Sequence, residues 1–163
     1  MNDKIKLDIG CGRRVEDGFV GIDRVQIIDG RGKQLIGHVV NLECEPIPYP
    51  DSSVDEIKAD SFLEHIGNLE HLLNECWRVL KPDGFLRGVA PMCGTRSHWK
   101  DPTHKRCFIK DTFCYFVGPP SWNPELPGHP RYANYGFKRW KHVEPLKEEG
   151  DVIYFKMSPD KDK

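Results

Sequence analysis

The sequence predicts an open, mostly parallel α/β sheet closed by an antiparallel hairpin, and three observations carry that reading. Short strand-like apolar runs recur between turns rich in glycine, proline and acids. One segment, residues 69–80, places Leu69, Leu72, Leu73, Cys76, Trp77 and Leu80 on the 3.6-residue period of a helix lying on a core. The last two strand-like runs, residues 136–143 and 151–157, lie close enough to pair across Leu146-Lys147-Glu148-Glu149-Gly150. Strands joined by crossovers and then a hairpin describe a parallel sheet with an antiparallel end.

Taken in order, residues 4–9 alternate, with Ile5, Leu7 and Ile9 on one face and Lys4, Lys6 and Asp8 on the other. A central parallel strand is usually apolar on both faces, so this alternation predicts that one face of the sheet is thinly covered. Only residues 13–18 separate this strand's glycine turn from the second strand, Phe19-Val20-Gly21-Ile22-Asp23. Gly30 and Gly32 interrupt residues 25–36, so any helix after either of the first two strands is short. A third strand is expected at Val39-Val40-Asn41-Leu42 and a fourth over residues 54–59. Asn68 caps the periodic helix, Lys81-Pro82-Asp83-Gly84 reads as a type I turn ending it, and a fifth strand covers residues 85–90. Asp111 is placed to cap a short helix holding Phe113 and Phe116. Residues 118–130 carry five prolines and read as an irregular loop, inserted (as residues 118–135) before the closing hairpin of a single domain spanning 1–163.

Composition bounds the function. The formal charge of −1 gives no global attraction to nucleic acid or membrane, but charge is uneven along the chain. Residues 41–75 hold nine acids against Lys58, and residues 96–110 hold five Lys and Arg against Asp101. No apolar run approaches the ~20 residues that span a bilayer, and Met1-Asn2-Asp3-Lys4 is no signal peptide. Six cysteines without a Cys-x-x-Cys pair suit reduced thiols and a cytoplasmic location.

The chemistry concentrates at Lys6-Leu7-Asp8-Ile9-Gly10-Cys11-Gly12, a strand running into a glycine turn with an acid just before it. Glycines there let the backbone turn sharply and approach a ligand. Eleven positions after Gly12 comes Asp23, an acid at the end of the second strand. A turn without side chains followed by an acid on the next strand is how nucleoside cofactors are held on open α/β sheets, at the carboxyl ends of the strands. A nicotinamide dinucleotide enzyme is disfavoured: Val15 stands where the last small residue of Gly-x-Gly-x-x-Gly belongs, and Asp23 comes early against the usual ~20-residue gap.

The ordered set resembles the class I S-adenosylmethionine-dependent methyltransferases, most closely their small single-domain members. It comprises Leu7-Asp8-Ile9-Gly10-Cys11-Gly12, Gly21-Ile22-Asp23, Ser53-Val54-Asp55-Glu56-Ile57, Leu63-Glu64-His65-Ile66, and Glu75-Cys76-Trp77-Arg78-Val79-Leu80-Lys81-Pro82-Asp83-Gly84-Phe85-Leu86. The resemblance implies a Rossmann-like seven-stranded sheet with a C-terminal antiparallel hairpin, S-adenosyl-L-methionine as cofactor, and methyl transfer as the activity. It also implies the roles of individual residues. Asp23 takes the ribose hydroxyls, and Asp8 faces the methionine end. Gly10, Cys11 and Gly12 form the turn against the ligand. Asn41 and Leu42 hold the adenine, with Asn41 where the family more often has an acid. Asp60, Ser61 and Phe62 line the reactive end.

Methyl transfer from a sulfonium is largely a matter of alignment, but a hydroxyl or amine acceptor also needs a base. His65, His98 and His104 are the candidate bases, and each also reads as an ordinary hydrogen-bonding loop residue. His98, Asp101, His104 and Cys107 could ligate a metal but lack a recognised zinc spacing, so no metal is assigned. Ser61 and Glu64 stand at capping-box spacing, which needs no function. Trp122 and the proline loop read equally as a lid, an oligomer contact or plain surface. The absence of Asp-Pro-Pro-Tyr-like, Asn-Pro-Pro-Tyr-like and Pro-Cys sequences argues against methylation of DNA bases at amino groups or cytosine C5. A small-molecule or sugar acceptor is favoured, and protein and RNA sites stay open. The alternative function is a non-catalytic cofactor-binding or interaction protein that keeps the fold.

Overall fold

The computed structural model describes residues 4–117 and 135–161. Among them are eight strands: β1 (Lys6–Ile9), β2 (Val20–Asp23), β3 (His38–Val39), β4 (Val54–Asp60), β5 (Leu80–Pro91), β6 (Trp140–His142), β7 (Lys147–Glu149) and β8 (Val152–Pro159). Three helices, α1 (Leu69–Val79), α2 (Arg96–Trp99) and α3 (Lys110–Val117), and a 3-10 turn at Leu63–His65 complete the elements. The sheet order is β3-β2-β1-β4-β5-β8-β6, with β7 paired to β8. Pairing is parallel from β3 to β5 and antiparallel around β8. The expected mostly parallel sheet with its antiparallel end is present. The strand beyond the predicted seven is β7, formed by the connector of the closing hairpin.

Several local expectations need correction. The third strand is two residues long because the chain turns at once: the Asn41 carbonyl accepts from the N–H groups of Cys44 and Glu45. No helix forms over residues 25–36. That segment folds back on itself at the Ile28–Gln34 bridge, around Asp29 Oδ1, which accepts from the Arg31 and Lys33 N–H groups. The predicted turn at Lys81–Gly84 is instead part of β5, whose pairing passes from Leu80–Val54 to Phe85–Glu56 through a register shift. Asp111 lies inside the first turn of α3 rather than capping it. Cys93 and Cys107 form a disulfide, against the expectation of reduced thiols throughout. The Met92–Phe108 bridge and the Cys93 N–H to Phe108 carbonyl bond bring them together. The proline-rich loop and Trp122 lie outside the described residues.

The helix predicted from periodicity forms as α1, with Asn68 Oδ1 accepting from the His71 N–H at 3.3 Å. Its stripe of Leu69, Leu72, Leu73, Cys76 and Val79 is buried on one face of the sheet, against Leu7, Ile9, Ile57, Ala59 and Leu86. Each fully buried large aliphatic side chain there contributes about 1.5–3 kcal/mol of transfer free energy. Phe113 of α3 stacks on Phe155 of β8, extending the same layer. The opposite face follows from the register, which lines up Asp8, Lys58, Arg87 and Lys156 across four strands. Ion pairs cover it where a second helical layer would lie: Lys6–Glu56, Lys58–Asp8, Lys58–Glu16, Arg87–Glu16 and Arg87–Glu56. The alternation in residues 4–9 reported this thinly covered face.

Candidate functional site

The carboxyl ends of β1, β2 and β4 meet where the glycine turn leaves β1. Gly10 has φ +63°, and its N–H donates to the Ile22 carbonyl at 2.8 Å. The Phe62 ring rests directly on Gly10, where a Cβ would come within 2.0 Å of the ring, so only glycine fits. Asp23 closes the turn from the other side: its Oδ2 accepts from the Gly12 N–H at 3.0 Å and its Oδ1 from the Arg24 N–H at 2.7 Å. Both carboxylate oxygens are thereby fixed, and each retains a lone pair.

Beside this turn lies a cavity of about 210 Å³, lined by Asp23, Arg24, Val40, Asn41, Leu42, Glu43, Phe62, His65, Ile66, Thr103 and Lys105. It gathers Asp23, Asn41, Leu42, Phe62 and His65 from the sequence-predicted residues. A second cavity, of about 670 Å³, meets it at Lys105 and carries Arg106, Phe108 and Phe116 in its wall.

The remaining predicted residues are placed otherwise. Asp8 is 2% exposed and lies on the charged face, its Oδ2 accepting from the Glu16 N–H at 2.9 Å and from Lys58 Nζ at 3.3 Å. Burial raises its pKa. The Cys11 thiol, directed at the Ile22 carbonyl, is pushed up to about 11 by burial. Asp60 pairs with Lys58 at 3.4 Å. Ser61 holds a left-handed φ of +48°, which turns the chain from β4 into the 3-10 turn. Asn41 Oδ1 accepts from the Glu43 N–H at 3.2 Å, a local turn contact. The Ser61–Glu64 capping box is absent: the 3-10 turn has no side-chain cap, and both Glu64 carboxylate oxygens are buried without a partner.

The loop after β5 is pinned to that 3-10 turn. The Glu64 carbonyl accepts from the Lys105 N–H at 2.8 Å and the Arg106 N–H at 3.2 Å, and the Arg106 guanidinium donates to the Ile66 and Gly67 carbonyls. This brings the three histidines together, with ring centroids 4.8 Å apart for His65–His104 and 5.6 Å for His98–His104. Of the three, His65 reaches the smaller cavity. Burial lowers the pKa of His65 and pushes Glu64 up to about 7. The ligand set His98, Asp101, His104 and Cys107 is not assembled, since the Cys107 sulfur is bonded to Cys93. In the sequence Glu64 reads as a capping residue and as part of the Leu63-Glu64-His65-Ile66 motif; nothing in its spacing signals a buried carboxylate.

Residues 7–87 match the family model described as a methyltransferase domain. No curated protein matches the sequence significantly. Among solved structures, the chain is similar to a SAM dependent methyltransferase from Archaeoglobus fulgidus, with 16% identity, TM-score 0.59, and 96% of this chain and 86% of that chain covered. It is likewise similar to a SAM dependent methyltransferase from Aquifex aeolicus, with 16% identity, TM-score 0.55, and coverage of 96% and 81%. A chain of the complex between the Haloferax volcanii Trm112 methyltransferase activator and its methyltransferase partner aligns at 12% identity and TM-score 0.60, over 96% and 82%.

Proposed function

We propose that the chain binds S-adenosyl-L-methionine beside Asp23 and transfers its methyl group to a small molecule or sugar; the match of residues 7–87 to a methyltransferase domain model and the likeness of the fold to SAM dependent methyltransferases support this. S-adenosyl-L-methionine is the cofactor that family and fold imply. The observation that carries the reading is the cavity of about 210 Å³ at the strand ends with Asp23 in its wall.

The chain's residues fit the adenosine half. Asp23 offers two fixed carboxylate oxygens to a ribose diol, held by the Gly12 and Arg24 N–H groups. Val40, Leu42, Phe62 and Ile66 give an apolar slot for a planar base, with Asn41 at its edge. The methionine half has less room, since Phe62 lies over Gly10, and Asp8 acts through the Lys58 and Glu16 network rather than by direct contact. Bound there, the cofactor supplies a methyl group on a positively charged sulfur. The protein's contribution is alignment, exclusion of water by Phe62 and Ile66, and proton handling at the cavity wall. That last task falls to the group that His65 forms with His104 and Glu64. The cavity of about 670 Å³ next to Lys105 is of a size that small-molecule ligands occupy, which supports a small acceptor.

A panel of sugars, phenols, amines and carboxylic acids, assayed for release of S-adenosylhomocysteine, tests the reading. Turnover with at least one acceptor, lost in Asp23→Ala, is expected. Cofactor binding without turnover on any acceptor would favour the non-catalytic alternative.

A further inference from the structure

We propose that Glu64, His65 and His104 form a binding site for a divalent transition-metal ion, with zinc as the reference ion. One ligand atom from each of the three lies within 4.8 Å of the others, and Glu64 Oε1 is 3.9 Å from His104 Nε2. Two imidazoles and a carboxylate are a donor set that zinc and other first-row divalent ions accept, with a position left open for water or substrate oxygen.

Two independent observations point to a cation. The first is Glu64 itself. Its residue is fully buried and neither carboxylate oxygen has a hydrogen-bond partner among the described residues. Among the described residues, the side chains of Lys105 and Arg106 are committed elsewhere: Lys105 Nζ pairs with Glu43 Oε1 at 2.5 Å, and the Arg106 guanidinium donates to the Ile66 and Gly67 carbonyls. Only the backbone N–H groups of these two residues reach Glu64, and they bind its carbonyl. A buried carboxylate without a hydrogen bond or counter-charge is strongly disfavoured, and a metal ion removes the penalty.

The second observation is the orientation of the histidines. His104 Nδ1 lies 2.7 Å from the His98 carbonyl, which can only accept, so Nδ1 carries a proton and, in the neutral imidazole that binds a metal, the lone pair is on Nε2, 3.9 Å from Glu64 Oε1. Thr103 Oγ1 donates to Asp101 Oδ1 at 2.7 Å, so at 3.0 Å from His65 Nδ1 it accepts, and the His65 Nε2 likewise keeps its lone pair. Fixing the tautomer of each imidazole through a carbonyl or a hydroxyl–carboxylate pair is how metal-ligating histidines are held. His98 takes part only through its carbonyl, which accepts from His104 Nδ1–H. The site borders the smaller cavity through His65, and it does not depend on which cofactor that cavity takes.

The test uses the full chain, stripped with a chelator and titrated with Zn²⁺ against a chromophoric competitor, with Co²⁺ absorption reporting the ligand field. One equivalent should bind, with a tetrahedral or five-coordinate Co²⁺ spectrum. Thr103→Val should weaken affinity about tenfold, as removal of an outer partner does, and Glu64→Gln should weaken it by more than about a hundredfold. Cys44→Ser, which removes the exposed free thiol, should leave binding unchanged. If Glu64→Gln fails to fold by circular dichroism, His104→Asn carries the same comparison. Absence of a bound equivalent in the wild type, or equal affinity in a folded Glu64→Gln or His104→Asn variant, would overturn the site and show a buried protonated Glu64 instead. Calorimetry with S-adenosylmethionine on the same stripped protein separates this outcome from failure of the cofactor reading.

Discussion

At the residue scale, Gly10 and Glu43 give the clearest consequences. Gly10 combines a left-handed backbone with the Phe62 ring lying where a side chain would begin. Gly10→Ala should therefore lose about 1–2 kcal/mol from the backbone alone and more from the collision. In a double-mutant cycle with Phe62→Ala, the collision part should be recovered and the backbone part should remain; strict additivity by urea unfolding would contradict the contact. Glu43 receives the Gly67 N–H, the Lys105 ammonium and the Asn68 N–H, and these hold its carboxyl down to about 2 from an ordinary 4.5. A depressed carboxylate stabilises the fold above its unfolded pKa and loses that contribution as pH falls. Stability should thus drop between about pH 4.5 and 2, with about 1 kcal/mol belonging to this group after solvent screening. Glu43→Gln should flatten that limb of the melting-temperature profile; an unchanged limb would contradict it. The position of Asp23 against the glycine turn was legible because it is local, one acid at a fixed distance from that turn. Glu64 was not, because its character comes from residues forty positions away that close over it.

At the element scale, the loop from Cys93 to Cys107 controls where His98 and His104 stand. The disulfide closes a sequence separation of 14 residues, and backbone bonds from Lys105 and Arg106 clamp the loop to the 3-10 turn. Cross-linking a loop of this size stabilises by about 3 kcal/mol. Dithiothreitol should lower the melting temperature accordingly, and a Cys93→Ala, Cys107→Ala double variant should reproduce the reduced protein. No effect of reduction would contradict the bond. Sequence spacing offered no sign of it, since the pairing is set by the Met92–Phe108 bridge, a tertiary contact. The elements that were legible are those whose pattern is internal: α1 from its apolar period and Asn68 cap, β1 and β2 around the glycine turn. Those misread are set by partners. β3 is short because Asn41 starts a turn, and the Lys81–Gly84 segment is a bulge in β5, held at its ends by the Leu80–Val54 and Phe85–Glu56 pairs.

At the scale of the whole molecule, the sheet is helical on one face and ionic on the other. Doubly wound sheets bury both faces; here the segments after β1 and β2 are turns, and Lys58, Arg87 and Glu16 cover what helices would. The alternating polarity of residues 4–9 announced this, and it explains how Asp8 is drawn into the charged network instead of the cavity. The proposed cofactor site is the strand-end cavity shared by β2, the turn at Asn41 and the loop carrying Phe62 and His65. The match of residues 7–87 to a methyltransferase domain model and the fold support S-adenosylmethionine as the ligand proposed for that cavity, and Asp23 is the residue on which the proposed placement turns. Isothermal calorimetry of S-adenosylmethionine and S-adenosylhomocysteine on the wild type and on Asp23→Ala is the most direct test. Binding of both ligands by the wild type, weakened at least about tenfold in a folded Asp23→Ala variant, is the expected result. No binding by the wild type at millimolar ligand, or equal affinity in the variant, would contradict the account.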